Sequence, residues 1–122
     1  MRVLLIDDSV EMRLIQKSIL IEMNIIANEA EDGSAALEML RKDNDYDLII
    51  LDIEMPGLNG LETLKKINLD EELHEIPVLM CSTLSDKHSV FESIKHGARN
   101  YIRKPFTTDS FVRKVDSVLG VE

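Results

Sequence analysis

Asp7, Asp8, Asp52, Ser82 and Lys104 are the residues of this chain whose types and spacing could do chemistry together. Each closes or follows a short apolar run: Val3-Leu4-Leu5-Ile6 before Asp7-Asp8, Leu48-Ile49-Ile50-Leu51 before Asp52, Val78-Leu79-Met80-Cys81 before Ser82, and Tyr101-Ile102-Arg103 before Lys104. Carboxylates gathered in one place repel one another unless a proton or cation intervenes, and a hard divalent cation such as Mg²⁺ suits oxygen donors. Lys104, fixed by the following Pro105, offers a single ammonium, and Ser82 a hydroxyl. With Asp52 as the attacking oxygen, such a set can hold a phosphoryl group and take it up as a reactive acyl phosphate. Taken singly, these residues have plainer roles: Asp7 and Asp8 as caps of a following helix, Lys104 as a surface lysine.

The elements that would position them alternate. Residues 3–6 are too few for a helix and read as a strand, and Met12, Ile15, Ile19 and Met23 recur at helical spacing behind Ser9 as N-cap. Residues 25–30 form a second strand, weaker in apolar content and so placed at an edge. After the turn Glu31-Asp32-Gly33-Ser34 comes a helix over 35–42 with Ala36, Leu37 and Leu40 inward. Leu48 to Asp52 is apolar on both faces, as a strand covered by helices on either side must be. Pro56, Gly57 and Gly60 make 53–60 a loop over its end, and Leu61, Leu64 and Ile67 mark a helix over 61–69. Ile76 to Cys81 is the fourth strand, with Pro77 at its start. A helix capped by Ser85 follows, with Val90, Phe91 and Ile94 as its stripe and Gly97 as its stop. Residues 101–103 are the fifth strand, and Phe111, Val112, Val115, Val118 and Leu119 mark the last helix. Strands alternating with helices predict an α/β fold, a doubly wound parallel sheet with helices on both faces. Ligands of such sheets sit at the carboxyl ends of the strands, where all five residues fall.

The totals narrow the classes. A chain of 122 residues has the length of one domain. A formal net charge of −9 argues against nucleic-acid binding through this surface. The charge is uneven: residues 1–80 hold 18 acids against 7 bases, residues 81–122 hold 5 against 7. The lone Cys81 excludes an internal disulfide, and at the end of an apolar run it reads as a core residue. No apolar run reaches membrane-spanning length and no signal-peptide core is present, so a cytoplasmic location without membrane contact is expected.

Asp7-Asp8, the segment Asp52-x-x-Met55-Pro56-Gly57-x-x-Gly60, Ser82 and Lys104-Pro105-Phe106 together resemble the receiver domain of bacterial two-component response regulators, most closely the stand-alone chemotaxis type (CheY-like). The resemblance covers the whole chain, so residues 1–122 read as one receiver domain. It implies a flavodoxin-like five-stranded sheet in the order 2-1-3-4-5. It also implies a phosphorylation-activated switch rather than a turnover enzyme, with Asp52 phosphorylated by a histidine kinase. Asp8, Asp52 and the backbone carbonyl of Glu54 would bind Mg²⁺ directly, and Asp7 through water. Lys104 would pair with the phosphoryl group, Ser82 would move to hydrogen-bond it, and Tyr101 would turn inward into the vacated space. That motion would alter the face made by the fourth helix, fifth strand and fifth helix, where a downstream protein target binds. A monomer, or a weak dimer on phosphorylation, would follow.

Two positions depart from the commonest pattern: Glu54 adds a carboxylate two residues after Asp52, and Thr83 is bulkier than the usual alanine. Met80 to Ser85 also looks like the receivers of chemotaxis methylesterases, so a module of a longer regulator, such as a transcription factor or a methylesterase, is an alternative. Two other classes compete. A flavodoxin-like FMN module needs a hydroxyl- and glycine-rich phosphate loop where this chain has two acids. An aspartate-nucleophile phosphatase resembles Asp-x-Asp, where this chain has Glu54.

Overall fold

The structure is a computed structural model that describes residues 1–84 and 86–120. Its elements run β1 (Arg2–Ile6), α1 (Val10–Glu22), β2 (Ile26–Ala30), α2 (Gly33–Lys42), β3 (Leu48–Leu51), α3 (Gly60–Leu69), β4 (Val78–Ser82), α4 (Lys87–Lys95), β5 (Asn100–Arg103) and α5 (Thr108–Leu119). All strand pairs are parallel, in the order β2-β1-β3-β4-β5. β1, β3 and β4 are apolar on both faces because alternate side chains feed two different cores. Leu4, Ile6, Ile49 and Leu51 meet Leu37 and Leu40 of α2 and Leu64 and Ile67 of α3. Val3, Leu5, Leu48 and Ile50 meet Leu20 of α1 and Phe111 and Val115 of α5. β2 lies at an edge, as expected, with Ile26 and Glu29 exposed. No helix among the described residues is long and apolar enough to cross a membrane.

Register brings the strand ends level. Ile6 pairs with both Ala30 and Leu51, Leu51 with Met80, and Ser82 with Arg103. The amide of Asp7 donates to Ala30, that of Asp52 to Ile6 and that of Lys104 to Ser82. The residues one step beyond β1, β3 and β5 therefore share one edge.

Polar side chains start each helix at a defined residue. Ser9 accepts from the Met12 amide, Asp32 from Ala35 and Asn59 from Glu62, whose own side chain returns to the Asn59 amide. Asp32, within the expected turn, is thus the cap of α2, and the helix begins at Gly33. Asp86 caps α4 by accepting from Ser89, while Ser85 lies outside the described residues.

Two helices depart from the expected inward faces, α1 in part and α4 more fully. On α1 Ile19 and Met23 pack against the core as expected, but the buried residues are Gln16 and Leu20, and Ile15 is 48% exposed. Apolar residues surround most of α1, so their spacing does not select a face. On α4 the buried residues are Ser89 and Ser93, whereas Phe91 and Ile94 are 63% and 49% exposed. The buried hydroxyls cost little here, because Ser93 donates to the Ser89 carbonyl and Ser89 to Asp86.

Candidate functional site

Asp7, Asp8 and Asp52 each offer a carboxylate oxygen within 4.8 Å of the others, with Asp7 and Asp52 buried and Asp8 exposed. Lys104 reaches into the same place: its Nζ donates to Asp7 Oδ2 at 2.6 Å and lies 3.6 Å from Asp52 Oδ2. The Ser9 amide holds the other Asp7 oxygen at 2.9 Å. Three carboxylates face one ammonium, an excess of negative charge that a divalent cation would cancel. The donors fit such an ion, being hard oxygens converging from two loops on an edge open to solvent at Asp8.

Burial pushes the Asp52 carboxyl from its ordinary 3.8 up to about 6. The charge of Asp7 adds to the rise, while the Lys104 ammonium and the amides of Ile53 and Glu54 oppose it. Burial also works against the Lys104 ammonium, but the hydrogen bond to Asp7 and the nearby charges of Asp52 and Asp7 hold its pKa above the usual value. A carboxyl whose folded pKa exceeds its unfolded one binds more protons when folded, so its contribution to stability falls as pH rises through that interval. In metal-free protein the Asp52 contribution should therefore drop by about 2 kcal/mol as pH rises from 3.8 to 6. Denaturant titrations of native and Asp52→Asn protein check this: Asp52→Asn should be the more stable at pH 7, and the gap should close toward pH 4.

Ser82 ends β4 fully buried, and its hydroxyl accepts from the Leu84 amide at 3.2 Å. It stands at the shared edge but is hydrogen-bonded to its own loop, not to the carboxylates. Tyr101 on β5 is half-buried, and its phenol donates to the Leu84 carbonyl. Burial raises the phenol pKa, with the nearby Ser82 hydroxyl acting the other way. Cys81 is buried, and burial pushes its thiol up to about 12, as suits a core residue.

The β3–α3 loop carries Glu54, whose Oε1 accepts from Thr83 Oγ1 at 2.7 Å. That bond joins the loop after Asp52 to the loop after Ser82. Asp8, Glu54, Met55, Asn59 and Leu84 line an open cavity of about 500 Å³ there. A second cavity, about 380 Å³ and lined by Met1, Met23, Ile25, Val112 and Leu119, has an apolar wall and lies apart from these residues.

Two contributors were not legible as such. Gly60 lies so close to the Asp52 backbone that a Cβ would stand 2.0 Å from the Asp52 carbonyl oxygen. Arg13 donates through Nη1 to the Asp7 carbonyl at 2.5 Å. A base this near a helix N-terminus opposes the dipole, which is the one sequence signal that it has another task.

A family model described as the response regulator receiver domain matches residues 3–116. Chemotaxis protein CheY-3 of Vibrio cholerae is 39% identical over 119 residues, covering 97% of this chain and 91% of that protein. Chemotaxis protein CheY1 of Helicobacter pylori is 40% identical over 121 residues, covering 98% of each. Among solved structures, chemotaxis protein CheY4 of Vibrio cholerae superposes with a TM-score of 0.89 at 28% identity, over 96% of this chain and 97% of that one.

Proposed function

Because the chain belongs to the response regulator receiver domain family, we propose that it is a chemotaxis-type switch, residues 1–122 forming one receiver that a histidine kinase phosphorylates on Asp52. Receivers of this kind are signalling proteins rather than turnover enzymes. The observation that carries the reading is the convergence of Asp7, Asp8 and Lys104 on Asp52 at one sheet edge.

In the proposed reaction an Asp52 oxygen attacks the phosphorus of a phosphohistidine. The new O–P bond forms as the P–N bond breaks, and the departing imidazole takes up a proton. Asp8, Asp52 and the Glu54 carbonyl would hold Mg²⁺, with Asp7 acting through water, and the bound ion would neutralise charge on the phosphoryl oxygens. Lys104, already spanning Asp7 and Asp52, meets the phosphoryl group with its ammonium. Ser82 exchanges its bond with the Leu84 amide for one to the phosphoryl oxygen, and Tyr101, bonded to the Leu84 carbonyl, follows. The signal passes to a protein target through α4, β5 and α5, where Phe91 and Ile94 stand exposed.

Incubation with Mg²⁺ and acetyl phosphate, read by intact mass, tests the reading. One added phosphoryl group is expected; no adduct across a full range of Mg²⁺ overturns it.

The Glu54–Thr83 bond should shield that group from water. Glu54→Ala and Thr83→Ala are each expected to shorten the lifetime of phosphorylated Asp52 about threefold, and the double variant no further, since both break one interaction. Decay followed by mass checks this, and unchanged lifetimes reject the shielding.

A further inference from the structure

We infer that Arg13 is a positioning residue for the cation site, holding the β1–α1 loop so that Asp7 and Asp8 face Asp52; the inference rests on the receiver reading only for the use to which that cation is put. Asp7 lies one residue beyond β1, where the ladder no longer holds its carbonyl: the last β1 carbonyl facing β3 is that of Ile6, taken by the Asp52 amide. The other polar groups of Asp7 are engaged by Ala30, Ser9 and Lys104. Its carbonyl is taken by Arg13 Nη1 at 2.5 Å. The guanidinium is itself held in place. Its side chain is only 12% exposed, and Nε donates at 3.0 Å to Glu29 of β2, which also pairs with Lys17 at 3.2 Å. One planar fork thus ties α1, the edge strand and the metal-facing loop together, a task suited to arginine's fixed donor geometry.

Charge and position make opposite demands here. A permanent positive charge on the backbone of the loop that carries Asp7 and Asp8 disfavours a cation, so on charge alone its removal would tighten Mg²⁺ binding. If Arg13 sets the loop, its removal loosens two ligands and weakens binding. The sign of the change decides.

The test titrates Mg²⁺ into the full chain and reads binding from amide NMR shifts of Asp7, Asp8 and Ser9. Arg13→Met is expected to weaken binding about tenfold, the usual size of losing a group that orients metal ligands. Glu29→Gln, which still accepts from Arg13, should stay within about twofold. With Mg²⁺ saturating, phosphorylation of Arg13→Met by acetyl phosphate should return to near the native rate, because the carboxylates and Lys104 are intact. Unchanged or tighter Mg²⁺ binding in Arg13→Met, an equal loss in Glu29→Gln, or a rate still depressed at saturation each overturns the inference. Should Arg13→Met not fold, Arg13→Lys takes its place. One ammonium cannot serve both acceptors, so weakening of at least about threefold is expected, and native affinity overturns the inference. A native chain that binds Mg²⁺ here but takes up no phosphoryl group removes the proposed function and leaves the role of Arg13 to be judged by the titration alone.

Discussion

Asp52→Asn is expected to gain no phosphoryl mass from acetyl phosphate at any Mg²⁺ concentration at which the native chain is fully modified. The amide has no anionic oxygen to attack phosphorus, and the neighbours are poor substitutes. Asp7 has one oxygen on the Ser9 amide and the other on Lys104, so each is already held by a donor that lowers its nucleophilicity. Asp8 is exposed and lacks the close ammonium. Loss of the nucleophile should lower the rate by about a thousandfold or more. The same substitution removes a buried charge, so a failure to react cannot be put down to unfolding: the silent variant should be the more stable one at pH 7. An adduct of native yield in Asp52→Asn would place the nucleophile elsewhere.

Gly60→Ala should be the most damaging single methyl in the chain. Its Cβ would lie 2.0 Å from the Asp52 carbonyl oxygen and 2.6 Å from the Ile53 Cα, and both obstacles are backbone. Neither can rotate away, so the loop must shift, at a cost of about 3 kcal/mol or more. Gly57 provides the comparison. It has φ +71 but open space around it, so Gly57→Ala carries only the left-handed penalty of about 1 kcal/mol. Thermal melts of both variants check the ranking. The displaced atoms belong to Asp52 and its neighbour, so Gly60→Ala should also slow phosphoryl uptake. A melting point within a few degrees of native would show that the loop yields easily.

What could be read from the sequence was whatever a short-range rule determines. Apolar runs ending in acids give strands ending in acids, and parallel crossovers oblige those ends to share an edge, so the meeting of Asp7, Asp8, Asp52 and Lys104 follows from order alone. The hidden parts depend on how rigid elements seat against each other. α4 turns Ser89 and Ser93 inward although Phe91 and Ile94 are its larger apolar groups. Periodicity ranks faces by hydrophobicity, and here close approach to the sheet is met by small side chains whose hydroxyls bond within the helix. The contact of Arg13 with Asp7 and the close approach of Gly60 to Asp52 were illegible for a related reason. One answers to a backbone carbonyl and the other to a backbone clash, and neither partner leaves a mark in side-chain pattern.

The Lys104–Asp7 hydrogen bond joins residues 97 positions apart in the chain, and this separation bears on how the protein is made. On the ribosome Asp7, Asp8 and Asp52 all emerge before the ammonium that contacts Asp7 and Asp52. Until β5 is synthesised that ammonium is missing, and the edge of β4 away from β3 has no strand beside it. Under the proposed function, competence to respond would be conferred by one of the last elements to be translated. A product released early would carry the proposed phosphoacceptor without Lys104, so interrupted synthesis would yield silent protein rather than a false signal.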